Sequence, residues 1–257
     1  MIKIYNENRL TRQPFFKLLV EFLLTNDEVK LRDIHHKFAD VKNIDRQIEQ
    51  FIDTGLILRA DKHYLLGFHV FDDSDFPEVD LTKLSNSKLT ENIFTAPFFV
   101  KSDSTIAQLL DSSSLMQTLS NSTNTVQLHF LSRYDRTTDT LSNYFYKVAE
   151  NLTLTDLERE IYDIIGDVDP EYALKYMTSF LLKFMNKTLV KTRADIFVKV
   201  LEKYGLVEAT SEREYHKLIK FDETVKIPEI RFDNAHDFIF AQIHQRAVLE
   251  NYISVEN

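Results

Sequence analysis

Residues 43–66 read NIDRQIEQFIDTGLILRADKHYLL and combine three signals of local structure. Their first half predicts a helix, which Asn43 can cap and whose apolar residues recur at helical spacing. The buried face of this helix is predicted to carry Ile44, Ile48, Phe51 and Ile52. Gly55 follows where the end of a helix favours a left-handed residue. The runs LILR and HYLL flank a short turn, so the second half predicts an antiparallel hairpin.

The sequence before this stretch predicts two further helices. Pro14 suits the first turn of a helix that places Phe15, Leu19 and Phe22 at helical spacing. The segment EVKL at 28–31 predicts a short strand. The next segment places Ile34 and Phe38 four residues apart, as a second short helix would.

The order helix, strand, helix, helix and hairpin resembles the winged helix-turn-helix superfamily over residues 10–68. The residues that carry the resemblance are Ile48, Phe51, Gly55, Leu56, Ile57 and Tyr64. The resemblance implies a module whose third helix faces DNA. The chain also resembles an uncharacterised protein family of lactic-acid bacteria and streptococci, in IYNENRLTRQPFF at 4–16 and VKNIDRQIEQFIDTGLILR at 41–59. That family implies no activity and no catalytic residues.

A second copy of the pattern is predicted within residues 152–221. Gly205, Leu206 and Val207 repeat the glycine and apolar pair of the first copy, and Tyr215 takes the place of Tyr64. Upstream, Thr155 and Glu158 predict a capping box, Asp169 and Pro170 predict the start of a longer helix, and Thr192 is expected to cap the last one. The alternative is coincidence, because a helix, a glycine and a hairpin often follow one another.

The rest of the chain predicts connectors, one strand and more helices. Residues 71–94 are rich in acids and Ser and predict a linker. Residues 112–125 predict a short helix followed by a loop, and 126–130 a half-buried strand with His129 facing solvent. Residues 139–151 predict a helix. The fold class expected is mainly α (α+β), with a winged-helix module at 1–70, a linker at 71–94 and a helical domain at 95–257.

The terminal stretch 234–253 predicts one long apolar helix. Such a helix has two uses, packing in the core or pairing two subunits as a homodimer. The sequence leaves both uses open.

Composition argues against several classes of protein. The chain has no cysteine, which removes disulfides and thiolate chemistry, and its four glycines do not cluster as phosphate-binding loops require. No run of about 18 apolar residues predicts a membrane span. No pair of histidines has metal-ligand spacing, and DDSD at 72–75 lacks the later ligands of a calcium loop, so it predicts a solvated acidic turn. The chain is therefore expected to be a cytoplasmic non-enzyme without cofactor or metal.

The distribution of charge along the chain decides which residues are predicted to contact DNA. The whole chain carries −9, but residues 1–70 hold 11 Lys and Arg against 10 Asp and Glu. Because phosphate neutralisation supplies much of the affinity for DNA, the basic side chains must cluster. The predicted DNA-contacting residues are Lys42, Asn43, Arg46, Gln47 and Gln50 on the third helix, and Arg59 and Lys62 on the hairpin.

Two functions follow from this surface. The first is a DNA-associated protein, such as a transcriptional regulator, in which Arg46 and Gln50 meet base edges. The second is an acidic scaffold that binds another protein, because Asp45, Glu49 and Asp53 share the helix and would repel phosphate.

Overall fold

The structure is a computed structural model that describes residues 1–77 and 89–255. These residues divide into two compact units, each assembled from separate segments of the chain. Unit 1 contains residues 1–77, 92–110 and 231–243, and unit 2 contains residues 89–91, 111–230 and 244–255.

The fold is mixed α/β, so the expected mainly α class is wrong. Of the described residues, 36% lie in helices and 23% in strands, and these strands form five small sheets. Part of the error lies at 112–125, where a helix and a loop were expected. This segment forms strand β7 (Ser114–Leu119), which pairs antiparallel with β8 (Val126–Arg133). The three- and four-residue spacing of Leu115, Met116 and Leu119 imitates a helix, but pairing with β8 decides the structure.

Unit 1 holds the first copy of the helix and hairpin pattern. Its elements are β1 (Ile2–Tyr5), α1 (Pro14–Thr25), α2 (Leu31–Lys37), α3 (Ile44–Asp53), β2 (Ile57–Ala60), β3 (His63–Leu66), β4 (Val70–Phe71), β6 (Phe98–Lys101), α4 (Thr105–Ser112) and α9 (Ala235–Ile243). Strands β1 and β4 flank β6, the first antiparallel and the second parallel to it. Two short strands, β5 (Glu91–Ile93) and β13 (Glu229–Arg231), lie where the chain passes from one unit to the other.

The core of unit 1 explains why these helices form where they do. Phe16 on α1 and Phe51 on α3 are fully buried with ring centroids 5.1 Å apart. Phe99 on β6 joins the same cluster and stacks on Phe68 with ring centroids 3.5 Å apart. A strand outside residues 1–70 therefore completes this core, and experiments on unit 1 need the whole chain.

The ends of α3 show how the quoted stretch folds. Gly55 has a φ of +74°, and the amide of Leu56 donates to the carbonyl of Phe51 at 2.9 Å, as the glycine stop predicts. Asn43 does stand at the N-cap position, but its φ is +55° and its side chain makes no capping bond. The strand expected at 28–31 is reduced to a single bridge between Lys30 and His63.

We expect Gly55→Val to lower the free energy of unfolding by about 1–2 kcal/mol, because a β-branched residue resists the left-handed conformation. The space around a Cβ at this position is open, so the loss would come from the backbone alone. Gly55→Asn is the matched control, since Asn tolerates this conformation and should cost less. Urea unfolding monitored by circular dichroism measures both, and equal losses would contradict this account of the helix end.

The described residues of unit 2 contain four helices and two sheets, one of which includes β7 and β8. Its further elements are α5 (Leu141–Ala149), α6 (Asp156–Ile165), α7 (Pro170–Leu182), β9 (Leu189–Lys191), α8 (Ile196–Lys203), β10 (Val207–Ser211), β11 (Glu214–Lys217), β12 (Lys220–Phe221) and β14 (Tyr252–Val255). One sheet has the strand order β10-β11-β9 and the other β12-β14-β8-β7. The capping box at Thr155 and Glu158 and the cap at Asp169 are confirmed, but Asp195 caps α8 instead of Thr192.

The second copy of the pattern repeats the helix end and the hairpin of the first. Gly205 has a φ of +67°, and the amide of Leu206 donates to Leu201 as that of Leu56 does to Phe51. The second hairpin strand, β11, then pairs with β9, where Tyr215 is the partner of Val190. The contacts at the helix end therefore arise twice, but one helix, α8, lies between β9 and the second hairpin, whereas α2 and α3 both lie between Lys30 and the first.

The prediction of one long C-terminal helix at 234–253 is correct for its first half and wrong for the rest. Helix α9 ends at Ile243, and residues 252–255 form β14 between β8 and β12. Tyr252 and Ile253 are buried there, each within a hydrophobic cluster of unit 2. The apolar face of α9 is buried within unit 1, at Phe238 and Ile239 among others, whereas the homodimer stays a prediction.

His129 also lies elsewhere than expected. It is buried, and its two ring nitrogens lie 3.0 Å from the hydroxyl of Thr118 and 2.7 Å from that of Ser254. Its strand, β8, is covered on both faces, so alternation of polar and apolar residues there does not mean exposure.

Candidate nucleic-acid interface

The outer face of α3 carries the side chains proposed to read DNA. Arg46 and Gln50 are exposed and lie four residues apart, on the side of the helix opposite the buried Ile48 and Phe51. Lys42 and Asn43 are exposed at the start of the helix. The structure therefore brings the polar residues predicted on this helix to one surface.

Two of the three acids on α3 are engaged by neighbours within unit 1. Asp45 lies 2.6 Å from a ring nitrogen of His35, and Glu49 accepts a hydrogen bond from Arg59 at 2.6 Å. Hydrogen bonds with Tyr64 and with Glu49 raise the pKa of the Arg59 guanidinium. Arg59, predicted to contact phosphate, is thus engaged with the helix itself.

The remaining predicted residues separate into engaged and available groups. Gln47 donates to the carbonyl of Lys42 at 2.8 Å, so its amide serves the start of α3. Lys42, Arg46 and Lys62 are exposed and form no ion pair with any described residue. Asp53 at the end of α3 remains as a nearby carboxylate. Three available cations and one exposed amide, Gln50, form the polar surface that could contact a ligand.

The hairpin has an apolar feature that sequence reasoning missed. Leu58 and Leu65 are cross-strand partners and are 49% and 47% exposed. Ile57 and Tyr64 point into the core from the same two strands. Because side chains alternate along a strand, burial of these two residues already implied that the two leucines face outwards.

The acidic turn at 72–75 is structural in a specific way. Asp72 pairs with Lys101 at 2.5 Å, and this hydrogen bond, with others from Ser74, holds the pKa of its carboxyl well below the usual range. Asp73 accepts from the amide of Ile106 at 2.9 Å and so caps α4. Asp75 accepts from the amide of Asp72. These carboxylates hold the turn and a helix end together instead of standing free in solvent.

Within residues 1–77 and 89–255, no group of three or more His, Asp or Glu side chains is arranged to hold a metal ion. Across the same residues, none of the helices has the length and apolar character needed to cross a bilayer.

Comparison with known families gives one similarity. A family model described as a domain of unknown function (DUF1803) matches residues 2–113, fewer than half of the 257 residues. No curated protein and no solved structure matches the chain. The winged helix-turn-helix superfamily and the family of lactic-acid bacteria and streptococci therefore gain no support. The N-terminal part, which includes α1 to α3 and the hairpin, is similar to an uncharacterised domain.

Proposed function

We propose that unit 1 binds duplex DNA through the outer face of α3 and the β2–β3 hairpin, and that the protein is a DNA-associated regulator. The observation that carries this proposal is that Asp45 and Glu49 are engaged by neighbours, Asp45 with a ring nitrogen of His35 and Glu49 in an ion pair with Arg59. The pairing of Glu49 reduces the electrostatic objection to placing this helix against phosphates. The proposal does not depend on membership of a superfamily.

Each available side chain has a role in this proposal. Arg46 and Gln50 present a guanidinium and an amide, groups that pair with guanine and adenine edges in the major groove. Lys42 and Lys62 contact phosphates, which positions the helix without reading sequence. The acidic remainder of the chain repels the phosphates and weakens binding most at low salt. At 0.1 M salt, charges more than about 10 Å apart are largely screened from each other.

Reversing one charge on α3 should abolish binding. We expect Arg46→Glu to remove measurable affinity for a mixed-sequence duplex, because it places a carboxylate at the centre of the surface. The matched control is Arg9→Glu, which makes the same change in net charge at an exposed residue outside α2, α3 and the hairpin. Fluorescence anisotropy of the full chain at about 50 mM salt measures both. Loss of binding in both variants alike would show that only net charge matters.

Removing one phosphate contact should have a smaller, sequence-independent effect. We expect Lys62→Ala to weaken binding to every duplex and to reduce the slope of log K against log salt by about one unit. Anisotropy titrations between about 50 and 200 mM salt give the slope. An unchanged slope would remove Lys62 from the interface.

A second candidate function is docking of another protein, and the exposed pair Leu58 and Leu65 favours it. Exposed leucines directly opposite each other are a suitable apolar contact for a protein surface. If this is the function, the wild-type chain should not bind a duplex, and Leu58→Thr with Leu65→Thr should abolish capture of a partner. A duplex titration of the wild-type chain separates the two functions.

A further inference from the structure

The strongest local excess of positive charge in the sequence lies in unit 2 and not on α3. Residues 172–199 contain six Lys and Arg and one Asp, whereas the remaining chain contains 25 Lys and Arg and 39 Asp and Glu. The six cationic residues are all exposed, and they are Lys175, Lys183, Lys187, Lys191, Arg193 and Lys199. A basic stretch of this kind in an acidic chain indicates a surface for an anionic ligand.

Two exposed tyrosines lie among these cations on one side of α7. Tyr172 and Tyr176 are 52% and 41% exposed, large values for aromatic side chains. Residues three or four positions apart share a face of a helix. Tyr172 and Tyr176 therefore share one face of α7 with Lys175, and this face continues to Lys183. We call the surface formed by these four residues the α7 face.

The tyrosine rings are held in place by packing beneath them. Tyr176 stacks on Phe197 with ring centroids 5.4 Å apart and an interplanar angle of 7°, and Tyr172 lies 4.9 Å from Tyr176. Phe197 is buried at the start of α8. The rings therefore expose aromatic surface to solvent while their positions are fixed, as a stacking platform requires.

The cations around this platform are available for a ligand. Of the six cationic residues at 172–199, only Lys191 forms an ion pair with a described residue, and its ammonium lies 2.9 Å from Glu214. The ammonium of Lys175 lies 5.9 Å from the centre of the Tyr176 ring, so charge and aromatic surface are adjacent. Glu171, the acid next to Tyr172, accepts hydrogen bonds from the amide and hydroxyl of Ser122, which occupy its carboxylate.

We propose that the α7 face, with the exposed cations that follow it, binds single-stranded nucleic acid. Unpaired bases can stack on Tyr172 and Tyr176, and Lys175 and Lys183 can contact the phosphates on either side. Stacking platforms set among cationic side chains are the usual means of binding single strands without sequence preference. In a duplex the faces of the bases are already stacked on one another, so this platform selects unpaired strands.

The test uses the full chain with two fluorescent probes, oligo(dT) and oligo(rU) of about twenty nucleotides. We expect Tyr172→Leu with Tyr176→Leu to weaken binding about tenfold or more, because leucine keeps the apolar cover over Phe197 but offers no ring for stacking. Tyr162→Leu is the matched control, since Tyr162 is an exposed tyrosine on α6 outside the basic stretch. Comparing the two probes shows whether DNA or RNA is preferred.

A second variant keeps the test independent of folding. Lys183→Glu changes an exposed side chain at the end of α7 and should weaken binding of both probes, whereas Arg9→Glu, the same change in charge at an exposed residue of unit 1, should leave it unchanged. Failure of the wild-type chain to bind either probe would overturn the proposal, and so would wild-type affinity in the double tyrosine variant. Binding of poly-glutamate that depends on Lys183 but not on the tyrosines would overturn it as well, since it would indicate a general polyanion surface.

Discussion

Replacing Lys147 by methionine is expected to destabilise unit 2 by about 3–5 kcal/mol, because it leaves a buried carboxylate without its partner. The ammonium of Lys147 lies 2.8 Å from each carboxylate oxygen of Glu158. Glu158 is fully buried and Lys147 is 8% exposed. Methionine keeps the apolar stem of the lysine, so the expected loss reports the charge and not a cavity. Urea unfolding measures it as a shift of the midpoint at constant slope.

The chain supplies a matched control whose carboxylate lies on the same helix, α6, as Glu158. Lys203 pairs with Glu160 at 2.5 Å, but both side chains of this pair are largely exposed. Lys203→Met should therefore cost about 1 kcal/mol or less. The double variant Lys147→Met with Glu158→Gln should recover part of the loss, because no charge then remains buried. Equal losses for Lys147→Met and Lys203→Met would contradict this account of the buried pair.

Gly67→Ala is expected to destabilise unit 1 by about 3 kcal/mol through a collision with backbone atoms. A Cβ at Gly67 would overlap the carbonyl oxygen of Gly55 and lie 2.9 Å from its carbonyl carbon. The close approach has a cause, since the amide of Gly67 donates to the carbonyl of Leu56 at 3.0 Å, which holds the hairpin end against the helix end. Relief of the collision requires this hydrogen bond to lengthen.

Gly55→Ala is the control for this prediction. A Cβ at Gly55 would have no neighbour within 4 Å, so only the positive φ opposes it, at about 1–2 kcal/mol. Thermal unfolding of the two alanine variants side by side gives the comparison. A smaller loss for Gly67→Ala than for Gly55→Ala would show that the two backbone segments can separate at little cost.

The sequence predicted those elements whose signals are local. Helix α3, its glycine stop and the hairpin follow from spacing and turn residues within 24 neighbouring positions, and the caps at Thr155 and Asp169 follow from single side chains. Strands β7 and β14 could not be predicted in this way, because each depends on pairing with β8. Local apolar spacing in both segments favoured a helix, and the partner strand overrode it.

In the candidate sites too, local features were predictable and contacts between separate elements were not. The exposure of Arg46 and Gln50 follows from the helix alone, whereas the pairs of His35 with Asp45 and Arg59 with Glu49 join residues ten positions apart on different elements. The α7 face was not predicted from the sequence because charge was counted over too long a segment. Residues 151–221 together contain 11 Lys and Arg and 12 Asp and Glu, so counting over the whole segment averages away the excess at 172–199.

The most direct test of the central claim, that α3 faces duplex DNA, is site-specific photo-crosslinking. Because the chain has no cysteine, a single Gln50→Cys substitution gives one attachment point for a crosslinker on the outer face of α3. Leu24→Cys, at an exposed residue of α1, is the control. With a mixed-sequence duplex at about 50 mM salt, we predict crosslinks from position 50 and few from position 24. No crosslink from position 50, or equal yields from the two positions, would contradict the claim.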